Sequence, residues 1–113
     1  MQVGSIRRLG LAAAIAMLAG ALPVHASDGD VTIAISGGKF VPSEVAVPAG
    51  QKIKLIVRNE DKSMSEFESS DFHREKVVTP GTSITLYVGP LDAGSYEFFD
   101  DFNPDNRGHL VVR

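Results

Sequence analysis

The chain has 113 residues and no cysteine. It can close no disulfide, and it can offer no thiolate to a metal. It is also short of positive charge, with 11 Lys and Arg against 14 Asp and Glu. Nucleic-acid binding wants a basic stripe along the phosphate backbone, and none is present. No Ser/His/Asp arrangement, phosphate-cradling loop or zinc-ligand spacing can be found. Internal repeats and low-complexity segments are absent. Beyond residue 26 no stretch has a convincing helical period.

What is present begins with a secretory signature. Arg7 and Arg8 form a positive start, Leu9 to Leu22 is an apolar run, and Val24-His25-Ala26 supplies small residues for cleavage. The run is too short to span a bilayer core of ~30 Å comfortably. Residues 1–26 are therefore expected to be a signal peptide, using general secretion rather than the twin-arginine route. Residues 27–113 are expected to form one domain with no transmembrane segment. Without Arg7 and Arg8 the basic count falls to nine, and the 87-residue mature chain carries a net charge of −5. That balance suits a cation, a basic partner or solubility.

The mature region reads as short strands. Val31, Ile33 and Ile35 alternate with Thr32, Ala34 and Ser36, as do Ile53, Leu55 and Val57 with Lys52, Lys54 and Arg58. Val45 with Val47, Ile84 through Val88, Tyr96 with Phe98, and Leu110 with Val112 repeat the pattern. Period two means one buried face and one wet face. Gly37-Gly38, Pro48-Ala49-Gly50, Pro80-Gly81 and Gly89-Pro90 punctuate these runs. About seven strands so spaced predict an all-β, antiparallel Greek-key β-sandwich. The longest irregular stretches are expected at Asn59 to Arg74 and Asp100 to Arg107, where binding residues tend to sit.

Two acidic clusters fall in or beside those stretches. Glu66 and Glu68 flank Phe67, so on a strand both carboxylates leave the same face, with Cα atoms roughly 6.6 Å apart. That spacing can share one cation, and it also describes an ordinary solvated strand face. Asp100 and Asp101 are adjacent; two carboxylates 4 Å apart repel by ~1 kcal/mol in water, which a cation would relieve. A polar turn before Asn103-Pro104 explains them equally well. A sandwich could bring both clusters to one end. Asp101, Asn103 and Asp105 have the opening spacing of an EF-hand loop, but its glycine and its final glutamate are missing. His73 is placed in a loop beside Asp71, His109 on an outer face, and Met64 in packing or as a soft ligand. Glu75, in Arg74-Glu75-Lys76, could support the site from nearby.

The segments Phe40-Val41-Pro42, Val45-Ala46-Val47-Pro48-Ala49-Gly50 and Val57-Arg58-Asn59 resemble the opening half of a cupredoxin. Gly94-Ser95-Tyr96-Glu97-Phe98 and Gly108-His109-Leu110-Val111-Val112 resemble its closing half. In a copper-binding member the first histidine ligand would fall near Glu66, the cysteine at Asp100 and the methionine near Asn106. The pair Glu66-Phe67-Glu68-Ser69 and Phe98-Phe99-Asp100-Asp101-Phe102 is similar to cupredoxin-like proteins of bacterial periplasmic iron-uptake systems. These accompany Ftr-type iron permeases, and a like domain opens the periplasmic subunit of Efe-type transporters.

This resemblance spans residues 31 to 113. It implies a cupredoxin-like sandwich in the periplasm that binds iron (Fe2+/Fe3+), ferrous oxidation, and delivery to an inner-membrane iron permease among other uptake components. It implies Glu66, Glu68 and Asp100 as metal ligands, with Asp101 beside them and Glu97 as a further acidic position. Many relatives carry histidine where this chain has Asn103, which offers a carbonyl oxygen and no titratable imidazole. Two other readings remain open: a copper chaperone or sensor using Met64, His73 and the carboxylates, and a metal-free sandwich that binds a partner. A blue-copper electron carrier is excluded, because its site needs a thiolate.

Overall fold

The computed structural model describes Val24–His25 and residues 30 to 113, with side chains from Asp30 onward. The rest of the expected signal peptide lies outside the described residues. Ten strands follow one another: β1 Val24–His25, β2 Asp30–Ser36, β3 Lys39–Val41, β4 Glu44–Val47, β5 Ile53–Asn59, β6 Ser65–Ser69, β7 Arg74–Val78, β8 Ser83–Val88, β9 Gly94–Asp100 and β10 Asn103–Val112. Among the described residues none is helical, and none belongs to a helix long and apolar enough to cross a membrane.

Two sheets form the sandwich, one ordered β1-β4-β10-β9-β6-β7 and the other β3-β2-β5-β8. This is the all-β sandwich that the alternation predicts. Most pairings are antiparallel, but β4 runs parallel to both β1 and β10, and β2 runs parallel to β5. The strand total exceeds the expected seven because β1 and β3 are only two and three residues long and β7 shows four exposed residues before Val78.

Period two explains the core directly. In β2 every second residue, Val31, Ile33 and Ile35, is buried, and in β5 Ile53, Leu55 and Val57 face them from the neighbouring strand. The other sheet contributes Phe67, Phe98, Leu110 and Val112. Phe40 meets the Phe98 ring edge-on at 4.9 Å, and Phe67 lies 5.2 Å from Phe98. Such aromatic contacts add ~1 kcal/mol each beyond buried area. Gly108 makes this packing possible. A Cβ there would sit 2.6 Å from the Phe98 ring and from the Ser43 carbonyl.

The two stretches expected to be irregular are more ordered than their sequence suggests. β6 and its turn occupy much of Asn59 to Arg74. The stretch from Asp100 to Arg107 is taken up mostly by β10, which pairs Asn103 with Asp100 and then shifts register before Arg107 meets Phe99. Asn-Pro-Asp-Asn shows no alternation because this bulged segment takes its path from β9, not from burying every second side chain.

Asn59 shapes the approach to β6. It is fully buried. Its amide donates to the Ser63 and Val78 carbonyls at 2.8 and 3.0 Å, and its Oδ1 accepts the Asp61 N–H at 2.9 Å. Asp61 in turn accepts the N–H groups of Gly37 and Gly38. Both glycines have positive φ, which the turn between β2 and β3 requires.

Candidate metal site

β6 places two carboxylates by simple alternation. Ser65, Phe67 and Ser69 turn inward and are buried, so Glu66 and Glu68 leave the outer face of the six-stranded sheet, each half-buried. Asp101 reaches the same spot from the turn between β9 and β10. The Asp101 N–H donates to the Glu66 carbonyl at 2.9 Å, extending the ladder one residue beyond the strand end. One carboxylate oxygen from each of Glu66, Glu68 and Asp101 lies within 4.8 Å of the others.

Desolvation, with crowding by neighbouring carboxylates, raises the proton affinity of the two glutamates. Desolvation on the sheet face pushes the Glu66 carboxyl above the usual range, and repulsion from Glu75 and interaction with Asp101 and Glu68 add to it. Glu68 is raised by desolvation first, then by Asp101 and Glu75. Glu75 is the cross-strand partner of Glu68 on β7, which accounts for its influence. Three converging hard oxygens can hold a cation such as iron, manganese, magnesium or calcium. The open sheet face leaves the remaining coordination positions to water or to a partner.

Asp100 is not in this group. It pairs with Phe67 across β6 and β9 and shares its inward direction. Its side chain is buried, and its Oδ1 accepts the N–H of Glu66 at 2.9 Å and of Phe102 at 3.0 Å. The carboxylate clasps β6 to the turn that carries Asp101. Alternation from the core residue Phe98 points to this orientation, since residues two apart share a face.

Glu97 stands in a separate row. Its carboxylate is bonded by the Arg107 guanidinium at 2.8 Å and lies 3.8 Å from His109 Nε2. Its N–H donates to Asp71, and its carbonyl accepts the Ser69 hydroxyl. Arg107 also lies over the Phe99 ring, 4.8 Å from its centroid. Sequence reading did not single out Arg107, since one exposed arginine in a turn-like stretch carries no pattern.

The other positions are also apart from the carboxylate trio. His73 is exposed, in the turn before β7, with φ of 59°. Met64 is half exposed just ahead of β6. Asn103 is exposed and donates weakly to the Gly38 carbonyl at 3.4 Å. Asn106 is buried, its Oδ1 accepts the Phe40 N–H at 2.9 Å, and its Nδ2 has no partner.

Comparisons with known proteins agree with this architecture. A family model described as a cupredoxin-like domain matches residues 9–112. An uncharacterised protein of Rickettsia prowazekii (strain Madrid E) is 48% identical over 84 residues, 74% of this chain and 67% of that one. The metal-binding domain of the Cu(I)-exporting P-type ATPase of Streptococcus pneumoniae D39, solved with Cu(I), superposes with a TM-score of 0.70 at 14% identity, covering 81% of this chain and 96% of its own. Amicyanin from Paracoccus versutus gives 0.61 at 20% identity, with 81% and 92% covered. A purple cupredoxin from Nitrosopumilus maritimus gives 0.58 at 19%, with 74% and 100% covered. At these identities the structural likeness speaks for the fold alone.

Proposed function

The chain belongs to the cupredoxin-like domain family, and from that premise we propose that it is a periplasmic iron carrier. It takes up ferrous iron on Glu66, Glu68 and Asp101 and passes it to an inner-membrane iron permease. The observation that carries this reading is the convergence of three carboxylate oxygens within 4.8 Å on the outer sheet face. Export through the N-terminal segment, residues 1–26, belongs to the same proposal.

The donor set argues for a hard cargo. A blue-copper centre takes two imidazoles and a thiolate. This chain has no cysteine, and Asp100 is committed to backbone N–H groups. The residues present therefore do not fit such a centre. Carboxylate oxygens stabilise Fe(III) more than Fe(II), so iron held by them is easier to oxidise. Within this proposal Asp100 aligns β6 with the Asp101 turn and is not itself a ligand. Glu97 is a neighbour of the site, already engaged by Arg107.

Copper is the alternative cargo. The soft donor that favours it is Met64, 50% exposed and two residues before Glu66. Anaerobic titration with Fe(II), Mn(II) and Cu(I) separates the readings. The iron reading expects Fe(II) and Mn(II) affinity to fall by more than about tenfold in Glu68→Gln, with Met64→Leu unaffected. Unchanged Fe(II) affinity in both Glu66→Gln and Glu68→Gln would sink it. Tight Cu(I) binding lost in Met64→Leu would establish the copper reading instead. Oxygen uptake on Fe(II) addition tells an oxidase from a passive carrier.

A further inference from the structure

The two outer faces of the sandwich carry opposite charge. The six-stranded sheet presents Glu44, Glu66, Glu68, Glu75 and Glu97 outward, offset by Arg107 and, when protonated, His109. The four-stranded sheet presents Lys39, Lys54 and Arg58, and Lys52 joins them at the start of β5. The acids near that second face lie at its ends: Asp30 beside Lys54, Glu60 3.9 Å from Arg58 just past the strand, and Asp61, which accepts the Gly37 and Gly38 N–H groups in the turn between β2 and β3. Its remaining outward positions are mostly small and hydroxylated: Thr32, Ser36, Ser83 and Thr85.

Two of the large exposed apolar side chains also lie on this basic face. Tyr87 is 51% and Val41 54% exposed. The Lys52 ammonium sits 5.2 Å from the centroid of the Tyr87 ring, and Lys54 is the cross-strand neighbour of Tyr87. Arg74 donates twice to the Tyr87 carbonyl at the open edge of β8, which blunts that edge against strand addition. What is offered is therefore a side-chain face and not a sheet edge.

We propose that this basic face rests on an anionic phospholipid surface. Lysine and arginine meet the headgroup charge, and a tyrosine with an apolar body and a polar tip suits the headgroup level. The mature chain as a whole is acidic, at −5, so attraction depends on the segregation. Packed sheets stand ~10 Å apart, and screening at physiological salt acts over ~8 Å. With the basic face down, the outer carboxylates lie beyond that distance and repel the lipid little. The same pose turns the Glu66, Glu68 and Asp101 group toward water, although the docking itself does not depend on iron binding.

A second copy is the competing occupant, its acidic face against this basic one. Such a contact is head-to-tail and does not close, so it would build open filaments. Net negative charge on every copy also opposes it.

Co-sedimentation of the mature chain, residues 27–113, with vesicles tests the proposal. One set is neutral phosphatidylcholine, and the other is enriched in phosphatidylglycerol. Stronger binding to the anionic set is expected, and it should disappear near 1 M salt, where screening acts over ~3 Å. Lys39→Glu/Lys52→Glu/Arg58→Glu should lose that headgroup-dependent part by about tenfold or more. The neutralised set Lys39→Gln/Lys52→Gln/Arg58→Gln should lose less, and Glu44→Lys should lose nothing. Equal binding to both vesicle types overturns the proposal, as does full retention in the folded triple variants. Self-association without lipid that the triple variant abolishes overturns it in favour of the second copy.

Discussion

Asp100 Oδ1 accepts the backbone N–H of Glu66 at 2.9 Å across 34 residues of sequence. An inward carboxylate thus fixes the strand whose outward carboxylates make the candidate site. The same oxygen accepts the Phe102 N–H, so β6 and the Asp101 turn are held by one atom. That arrangement explains why a buried acid can face the core while its neighbour in sequence faces water.

Removing this clasp should cost stability. Asp100→Ala leaves two N–H groups without a partner, which predicts a loss of about 2–4 kcal/mol in urea unfolding. Asp100→Asn keeps an acceptor oxygen and should retain both most of the stability and the Fe(II) affinity. Loss of Fe(II) binding in a stably folded Asp100→Asn would instead make Asp100 a ligand.

The raised proton affinities of Glu66 and Glu68 predict a definite pH dependence. A carboxyl whose folded value lies above its unfolded value contributes stability below the unfolded value, and that contribution is lost as pH rises through the folded one. The metal-free protein should therefore melt lower than Glu68→Gln at neutral pH. The gap should close on acidification and be gone below the ordinary glutamate value of ~4.3. A gap that widens on acidification would refute the crowding of these carboxylates. Adding Mn(II) at neutral pH should raise the wild-type melting temperature more than that of Glu68→Gln.

Glu97 should prove dispensable for cation binding. Glu97→Gln breaks an exposed pair with Arg107, which is worth less than about 1 kcal/mol. Fe(II) affinity is expected to stay within about twofold of wild type by titration. A loss as large as that of Glu68→Gln would bring Glu97 into the site.

Two buried positions test the scaffold. Gly108→Ala must displace both the Phe98 ring and the Ser43 backbone, so a loss of about 2–3 kcal/mol is expected in denaturant titration. Asn59→Ala gives up its contacts with Ser63, Val78 and Asp61. It should cost about 2–4 kcal/mol and expose the segment ahead of β6 to limited proteolysis.

Much of the fold could be read in the chain because the core strands obey period two. Val31 to Ile35 and Ile53 to Val57 announce both their state and their buried face. Where alternation stops, legibility stops. β7 is an edge strand with little to bury, and the first residues of β10 follow a bulge whose partner lies on β9. At the site, the common direction of Glu66 and Glu68 follows from their spacing around Phe67. The resemblance to iron-uptake proteins put Asp100 ahead of Asp101, whereas the structure turns Asp100 onto backbone N–H groups. Phe98 carried the signal, since an inward residue two positions earlier commits Asp100 to the same side.

By itself the sequence determined that this is a β-sandwich with no thiolate donor, acidic overall, with two outward glutamates on one strand. Those properties are local, set by residue type and by the alternation of side chains along a strand. Tertiary structure decided that Asp101 joins those glutamates, that Asp100 and Glu97 do not, and that the two outer faces oppose each other in charge. Each of these depends on which strands become neighbours and in what register, and pairing across tens of residues leaves no mark on either strand alone.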